Sequence, residues 1–280
     1  MNNFQNYTKM ELRQVQLMQL ELMSQIHNVC NAERIKYYLL AGSLLGAVRH
    51  GGFIPWDDDI DIGMPRKDYE KFKEVFSKHF DDKRYFLQYS KTDKSFVPAL
   101  MRLCIRGTIV DIEYERRLNN CKNTYIDIFP LDNVPKDESL QIKQAKELKC
   151  FRRVIRWKEY CIYNENNILH KIIKPIVSFV LKVLPLSYLQ NKRDKVMTRY
   201  SDSESDCWCS MASKYSYKKQ TIDKNIYGQP TLIKFEDKEF FGPEKPIEYL
   251  SHLYGKNFME LPPVEKREKP HDVYIKNELL

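Results

Sequence analysis

The chain has 280 residues, of which 42% are hydrophobic and 30% charged, and this predicts a globular protein with a sizeable core. Lys and Arg outnumber Asp and Glu by 46 to 38, so the net charge of +8 favours anionic partners without selecting one class of them. Seven cysteines without a repeated short spacing argue against a disulfide scaffold, and the N-terminus lacks the pattern of a secretory signal, so we expect a cytoplasmic protein.

The first predicted elements are a long helix and a strand that leads into a second helix. Thr8 and Glu11 have the spacing of a capping box, and apolar residues then recur at intervals of three and four. Residues 37–40 have the pattern of a short buried strand. This strand ends at Gly42 and Ser43, and the pattern that follows them is helical. A glycine at such a turn lets phosphate oxygens approach backbone N–H groups at a helix start, although a lone Gly-Ser pair is more often an ordinary turn.

An alternating acidic segment comes next. In WDDDIDIGM, Ile60 and Ile62 alternate with Asp59 and Asp61, as a half-buried strand requires, so the two carboxylates share one face. Asp57 lies two residues before Asp59 and so shares its face. It could join the pair as a metal ligand or as a neighbour that orients the ligands. Carboxylates this close repel each other unless a cation lies between them, and Mg²⁺ commonly binds through one or two carboxylates plus substrate phosphates. The segment therefore predicts a divalent metal site.

Two other interpretations of these acids are weaker. An acidic cluster is often a solvated loop, but a solvated loop has no reason to alternate so regularly with isoleucine. Asp57, Asp59 and Asp61 also occupy the first, third and fifth positions of a calcium loop. That pattern fails because Ile62 stands where the sharp turn needs glycine, and Asp68 stands where a longer glutamate is expected.

The rest of the chain divides into an α/β unit and a mainly helical region. A helix is predicted over 66–78, and strands are predicted over 85–89, 99–105, 108–114 and 125–129. From about Asp137 to Tyr200 the pattern is helical, and beyond Tyr200 it becomes irregular. We therefore predict a core over 1–135, which carries the metal site, and a mainly helical region over 136–280, which completes the site for an acceptor substrate.

The most apolar segment, residues 168–189, is not predicted to cross a membrane. Lys171, Lys174, Lys182 and two prolines interrupt it, so no window approaches the ~20 apolar residues that a bilayer requires. Its basic, amphipathic character fits a helix lying on an anionic membrane face. A helix packed on the core gives the same pattern, and both interpretations stay open.

A longer pattern resembles a known family. Residues 41–72, AGSLLGAVRHGGFIPWDDDIDIGMPRKDYEKF, resemble the signature of the LicD family, which includes bacterial phosphocholine transferases and is related to the eukaryotic fukutins. The resemblance continues through RLCIRGT at 102–108 and YIDIFPLD at 125–132, and weakly through FFGPEKPIEYLSHLYG and LPPVEKREKPH. It covers most of the chain, although the helical middle carries little of it.

The resemblance implies a nucleotidyltransferase fold, in which a mixed sheet flanked by helices holds acids around two divalent metals, Mg²⁺ or Mn²⁺. Gly42 and Ser43 match the turn of that fold. Asp59 and Asp61 match its pair of acids, and Asp127 matches its third carboxylate. Asp127 is then also the candidate general base.

The third acid has a rival position. Asp127 stands between Ile126 and Ile128, so a single acid projects from an otherwise apolar strand. Asp111 and Glu113 also alternate in a predicted strand, but that strand is rich in acids and resembles an edge that faces solvent.

Several neighbours of the acids are candidate substrate-binding residues. Arg49 and Arg102 could each hold a donor phosphate through two hydrogen bonds, or pair with a structural carboxylate. Trp56 could stack on a base or a choline headgroup, or it could cover the core. His271 could close over the site or lie on the surface.

The resemblance implies transfer of phosphocholine, or a similar phospho-alcohol, from a CDP-activated donor such as CDP-choline to a sugar hydroxyl. The acceptor would be a cell-surface glycan, as in lipopolysaccharide or teichoic acid, or a lipid-linked precursor at the inner membrane face. Alternatives are nucleotidyl, phosphoglycerol or phosphoribitol transfer, or an inactive relative that binds glycans or assists assembly. Intact acids at every metal position argue against the inactive relative. We expect no nucleic-acid partner, because no aromatic and basic platform is visible.

Overall fold

The computed structural model describes residues 6–111, 123–160, 183–267 and 269–279. Its helices are α1 (Leu12–Glu33), α2 (Ala41–His50), α3 (Arg66–His79), α4 (Glu138–Tyr160), α5 (Leu186–Met197), α6 (Tyr217–Gln220), α7 (Lys224–Tyr227) and α8 (Pro246–Tyr254). Its strands are β1 (Tyr7–Lys9), β2 (Tyr38–Leu39), β3 (Asp61–Pro65), β4 (Tyr85–Gln88), β5 (Met101–Ile105), β6 (Thr108–Asp111), β7 (Thr124–Asn133), β8 (Cys207–Cys209), β9 (Thr221–Asp223), β10 (Thr231–Phe235), β11 (Lys238–Gly242) and β12 (Asp272–Lys276).

A mixed sheet in the order β2-β3-β7-β5-β4 forms the centre of the fold. β3 and β7 run parallel, whereas β2 pairs antiparallel with β3, and β5 and β4 continue antiparallel from β7. The sheet is covered by helices, since α1 and α3 contact β7 and α2 contacts β3. The predicted α/β fold class is therefore confirmed.

The N-cap of α1 is Glu11, not the predicted Thr8, which lies in β1. The Glu11 side chain accepts a hydrogen bond from the backbone of Gln14, and the Gln14 side chain accepts one from the Glu11 N–H at 2.8 Å. Leu22 and Met23 are 1% and 0% exposed in the core. Burial of such a side chain contributes about 1.5–3 kcal/mol, so core packing in addition to the cap stabilises the helix.

A second sheet joins distant parts of the chain. β12 lies between β1 and β6 and pairs antiparallel with both. Tyr7 is opposite Lys276, and Asp111 is opposite Asp272. The strand predicted over 108–114 therefore belongs, as far as it is described, to this three-stranded sheet and not to the central one.

The region after residue 136 contains helices and also short strands. α4 and α5 pack against each other, in agreement with the helical pattern up to Tyr200. The stretch interpreted as irregular contains β8 to β12, and β8 extends the central sheet by pairing with the end of β7. Tyr227 and Tyr249 are buried in the same core as Leu39 and Ile62, so this region packs directly on the central sheet.

No helix in the described part of the chain is both long and apolar enough to cross a bilayer. Most of the amphipathic segment predicted over 168–189, including Lys171, Lys174 and Lys182, lies outside the described residues. Membrane contact by this segment therefore stays a prediction.

Candidate active site

Four carboxylates line one cleft at the start of β3. Asp61 is the first residue of β3 and lies opposite Asp127 in the parallel pairing of β3 with β7. Neighbouring strands are about 4.8 Å apart, so residues in register project to the same face of a sheet. Asp57 and Asp59 precede β3 and line the same cleft, whose volume is about 830 Å³. The structure thus brings together the four acids that the sequence singled out.

The acids of this cleft disfavour one another's charge. Burial raises the pKa of Asp59 well above its ordinary value, and the neighbouring Asp61 and Asp57 raise it further. Burial likewise raises the pKa of Asp61, with Asp127 as the next contribution. Lys214, which lines the same cleft, lowers the pKa of Asp61 and so opposes this shift. A cation among these carboxylates would remove the repulsion and favour their ionised forms.

The cleft fits a cation that also takes ligands from its substrate. Among the described residues, no three His, Cys, Asp or Glu side chains are arranged to ligate one ion by themselves. Mg²⁺ does not require three, because it commonly uses one or two carboxylates and fills its octahedral shell with phosphates and water. The adjoining carboxylates of Asp59, Asp61 and Asp127 in an open cleft suit such a site, and their role as ligands stays a prediction.

Arg102 pairs with a carboxylate of the site. It lies opposite Asp127 in the antiparallel pairing of β5 with β7, and its Nε donates to Asp127 Oδ1 at 2.8 Å. The guanidinium lies 3.7 Å from the centroid of the Tyr125 ring and 5.4 Å from that of Phe96. Because the side chain is only 8% exposed, these contacts hold the Asp127 carboxylate in a fixed orientation. A contact of Arg102 with a donor phosphate stays a prediction.

The turn at Gly42 and Ser43 positions the start of β3, the strand that begins with Asp61. Ser43 lies in the first turn of α2, and its Oγ accepts a hydrogen bond from the Asp61 N–H at 2.7 Å. Gly42 lies so close to the acids that a Cβ there would come within 3.3 Å of Asp57 Oδ2. Ala41 has a φ of +42°, a conformation that is costly for a residue other than glycine and that is often found at functional sites.

Two buried glutamines of α1 hold residues 57–60, the acidic loop that precedes β3. The sequence did not single them out. Gln16 Nε2 donates to the Asp57 carbonyl at 2.9 Å. Gln19 Nε2 donates to the Tyr125 carbonyl of β7 at 2.8 Å and to the Asp58 carbonyl at 3.4 Å. Both glutamines are buried, so α1 ties the loop before β3 to the strand that carries Asp127. Their spacing of three residues puts both on one face of α1, but nothing in the sequence alone marks them as buried.

Asp58 supports the loop from the side opposite the cleft. Its carboxylate accepts hydrogen bonds from the His271 backbone N–H at 3.0 Å and from the His271 Nδ1 at 3.1 Å. Asp58 is 7% exposed and has the opposite parity to Asp57 and Asp59 along the chain. His271 therefore anchors the acidic loop, and it is not among the residues that line the cleft.

Arg49 and Trp56 line the cleft and contact the segment over residues 255–267, which forms its outer wall. Arg49 Nη1 donates to the carbonyls of Phe258 and Glu260 at 3.1 and 3.2 Å, and burial lowers the pKa of Arg49. The Arg267 guanidinium lies 4.2 Å from the centroid of a Trp56 ring. Each side chain thus holds the wall in place, and the substrate contacts expected of both stay predictions.

The cleft also contains cations that the sequence analysis did not select. Lys214, Lys266 and Arg267 come from the region after residue 136 and line the cleft together with the acids. Asp111 does not line it and lies in the sheet formed by β1, β12 and β6. Glu113 lies outside the described residues.

Acids on two parallel strands of a mixed sheet, next to Gly42 and Ser43 at a helix start, are the arrangement that the resemblance implies for a nucleotidyltransferase domain. A family model described as "LicD/FKTN/FKRP, nucleotidyltransferase domain" matches residues 34–156. Residues 34–156 therefore match the nucleotidyltransferase domain of the LicD family, the family that the motifs resemble.

Individual proteins match over different lengths. A protein of Haemophilus influenzae named lipopolysaccharide cholinephosphotransferase LicD is 28% identical over 276 residues, which are 95% of this chain and 97% of that protein. An uncharacterized protein of Rickettsia prowazekii is 34% identical over 109 residues, or 39% of this chain and 31% of that protein. Human ribitol 5-phosphate transferase FKRP is 52% identical over 40 residues, or 14% of this chain and 8% of that protein.

Proposed function

We propose that the protein is a transferase that moves phosphocholine, or a similar phospho-alcohol, from a CDP-activated donor to a sugar hydroxyl of a glycan. The observation that carries this proposal is the cleft in which Asp61 lies opposite Asp127, with Asp59 and the Ser43 turn beside them. The similarity to a lipopolysaccharide cholinephosphotransferase over 95% of the chain favours phosphocholine and a glycan acceptor.

In this reaction the acceptor hydroxyl oxygen attacks the phosphorus that carries the choline ester. A new P–O bond forms, the bond from that phosphorus to the bridging oxygen breaks, and CMP leaves with the bonding electron pair. The hydroxyl proton passes to Asp127, our candidate general base. Arg102 supports this role because its bond to Oδ1 fixes the plane of the Asp127 carboxylate.

Asp59, Asp61 and Asp127 would hold Mg²⁺ or Mn²⁺, two ions if the family pattern applies. Such ions, when bound, neutralise charge on the diphosphate and lower the pKa of an attacking hydroxyl. The chain's own contribution is to place the carboxylates, and α1 and Ser43 provide that placement.

The cations on the wall of the cleft are suited to the donor. Lys214, Lys266 and Arg267 line the same space as the acids and can contact phosphate oxygens that the acids repel. Arg267 already lies over the Trp56 ring, so a base or a choline headgroup that stacks on Trp56 would have to share or displace that contact.

The acceptor is a glycan or its lipid-linked precursor, and the reaction takes place on the cytoplasmic side of the membrane. Peripheral contact through residues 168–189 would bring the protein to a lipid-linked acceptor. This location rests on the sequence pattern of that segment and on the cysteine content.

A screen of donors tests the proposal. The protein is incubated with CDP-choline, CDP-glycerol, CDP-ribitol and nucleoside triphosphates, in Mg²⁺ or Mn²⁺, and the release of nucleotide is measured. We expect CMP from CDP-choline at the highest rate, and none after chelation of the metal. The FKRP match, at 52% identity over 40 residues, makes CDP-ribitol the main alternative donor. Release from triphosphates alone would support nucleotidyl transfer instead, and no release from any donor would support an inactive relative.

A further inference from the structure

A second concave site lies next to the catalytic cleft. We call it the α3–α5 cleft, because it is lined by α3, the loop over residues 89–91, the ridge over residues 98–100, and α5. Its volume is about 470 Å³. Arg66 follows the last residue of β3, so it lies five residues, or roughly 16 Å of extended strand, from Asp61.

The α3–α5 cleft is strongly basic. Six cations line it, namely Arg66, Lys73, Lys91, Lys192, Arg193 and Lys195, against two carboxylates, Glu70 and Asp194. Ion pairs with carboxylates occupy Arg66, Lys73 and Arg193. Lys91, Lys192 and Lys195 have no carboxylate partner among the described residues, and all three are exposed. These three lysines can therefore bind an anion at the open side of the cleft.

Aromatic rings line the same space. Lys73 Nζ lies 4.3 Å from the centroid of the Tyr69 ring and 5.1 Å from that of Tyr89. Tyr188 is 48% exposed, and the Lys192 Nζ lies 5.5 Å from its ring centroid. Rings offer an apolar surface and lysines bind phosphate oxygens, so the cleft suits a ligand with apolar faces and anionic groups. A sugar that carries phosphate has both.

The two clefts share a wall. Pro98 and Leu100 line both of them. Arg193 of α5 holds this ridge, because its Nη1 donates to the Val97 carbonyl at 2.7 Å and its Nη2 to the Pro98 carbonyl at 3.4 Å. Gln190 donates to the Phe96 carbonyl at 2.7 Å. A ligand bound between α3 and α5 would therefore lie directly beside the catalytic cleft.

We propose that the α3–α5 cleft binds a phosphate-bearing stretch of the acceptor glycan, next to the sugar that enters the catalytic cleft. This inference rests on the proposed function, because it takes the acceptor to be a glycan. Lys91, Lys192 and Lys195 contact the phosphate, and the rings of Tyr89 and Tyr188 contact the adjacent sugar. A concave, ring-lined site favours this ligand over a flat membrane surface.

The test measures binding without turnover. The full chain is titrated with maltose 1-phosphate in EDTA, and with maltose as the uncharged comparison. The variant Lys91→Gln/Lys192→Gln/Lys195→Gln removes three cleft charges, and the matched control Lys143→Gln/Lys234→Gln/Lys238→Gln removes three exposed charges that line neither cleft. We expect the cleft variant to weaken maltose 1-phosphate binding at least ~10-fold, because three charge contacts are lost together, and the control to bind like wild type.

Two outcomes would overturn the inference. One is equal affinity of the wild type and the cleft variant for maltose 1-phosphate, and the other is equal weakening in the cleft and control variants. If, in the first case, the cleft variant also loses sedimentation on phosphatidylglycerol vesicles, the cleft is assigned to lipid. Donor turnover is measured in parallel. If no donor is turned over, the binding measurement still tests the α3–α5 cleft, because it does not require turnover. If CMP is released but maltose 1-phosphate does not bind, this inference alone is overturned.

Discussion

Asp61 lies directly opposite Asp127 on two parallel strands, and Arg102 binds Asp127 from the next strand of the sheet. The register of three strands thus sets the distance between two acids and the orientation of one of them. Because Ser43 fixes the Asp61 backbone as well, each carboxylate is held by groups outside the acidic loop. Substitutions at these positions should therefore change chemistry more than fold.

Asp59→Asn and Asp61→Asn should each abolish turnover, since each removes a charge from the carboxylate cluster without changing the size of the side chain. Rates of CMP release, compared with the wild type in saturating Mg²⁺, give the readout. A variant that kept more than about a tenth of the wild-type rate, a deficit under ~1.4 kcal/mol, would show that its residue is not a catalytic ligand.

The stability of the metal-free protein should depend on the same acids. The folded-state pKa values of Asp59 and Asp61 are raised, so the folded protein binds more protons than the unfolded chain once the pH exceeds about 4. The free energy of unfolding should then fall as the pH rises from there towards neutrality. Thermal unfolding in EDTA should show a shallower fall for Asp61→Asn, and higher stability than the wild type at pH 7. A steeper fall in the variant would contradict this assignment.

Asp127→Asn should slow the reaction at least ~100-fold, the low end of a general-base contribution, and should weaken metal binding measured by calorimetry with donor present. Asp111→Asn is the matched control, because this acid lies in the other sheet, opposite Asp272. It should stay within a few-fold of the wild type, as should Glu113→Gln. The reverse pattern would move the third ligand to the Asp111 strand.

His271→Ala should destabilise the fold and lower activity together. The substitution leaves the buried Asp58 carboxylate with the backbone N–H of residue 271 but without the ring Nδ1, and the loss of a hydrogen bond to a buried group costs about 1–3 kcal/mol. A cycle with Asp58→Asn, followed by chemical denaturation, measures the coupling. Additive effects of the two substitutions would mean that the contact does not stabilise the loop.

Lys171→Gln, Lys174→Gln and Lys182→Gln in combination should reduce sedimentation with anionic liposomes and leave hydrolysis of a soluble donor unchanged, because the charges would attract the membrane surface only. If the wild type does not bind liposomes, or if both proteins bind equally, the segment over 168–189 is better explained as core packing.

The sequence singled out the acids that line the cleft because their signal is local. Asp59 and Asp61 alternate with isoleucine at the period of a strand. In YIDIF, Asp127 is a single acid among apolar residues, which indicates a buried environment. The pairing of Asp61 with Asp127 could not be predicted from the residues alone, since strand order depends on contacts between distant segments. Family resemblance, not periodicity, placed Asp127 beside the pair.

Other features were missed for the same reason. β1 and β12 are short strands whose partners lie far along the chain, so neither has a local pattern that separates it from a loop. A helical glutamine is usually a surface residue, and burial of Gln16 and Gln19 becomes evident only when α1 packs against the acidic loop. Thr8 matched a helix cap locally, but pairing with Ile275 places it in a strand.

The contact between Asp58 and His271 spans 213 residues of chain. Since ribosomes add about 5–20 residues per second, roughly 10 to 40 s separate the synthesis of these two residues. During that interval a nascent chain can form the Gln16 contact to the acidic loop but not the His271 contact. The final geometry of the carboxylates is therefore acquired late in biosynthesis, and partly made chains are not expected to consume the donor.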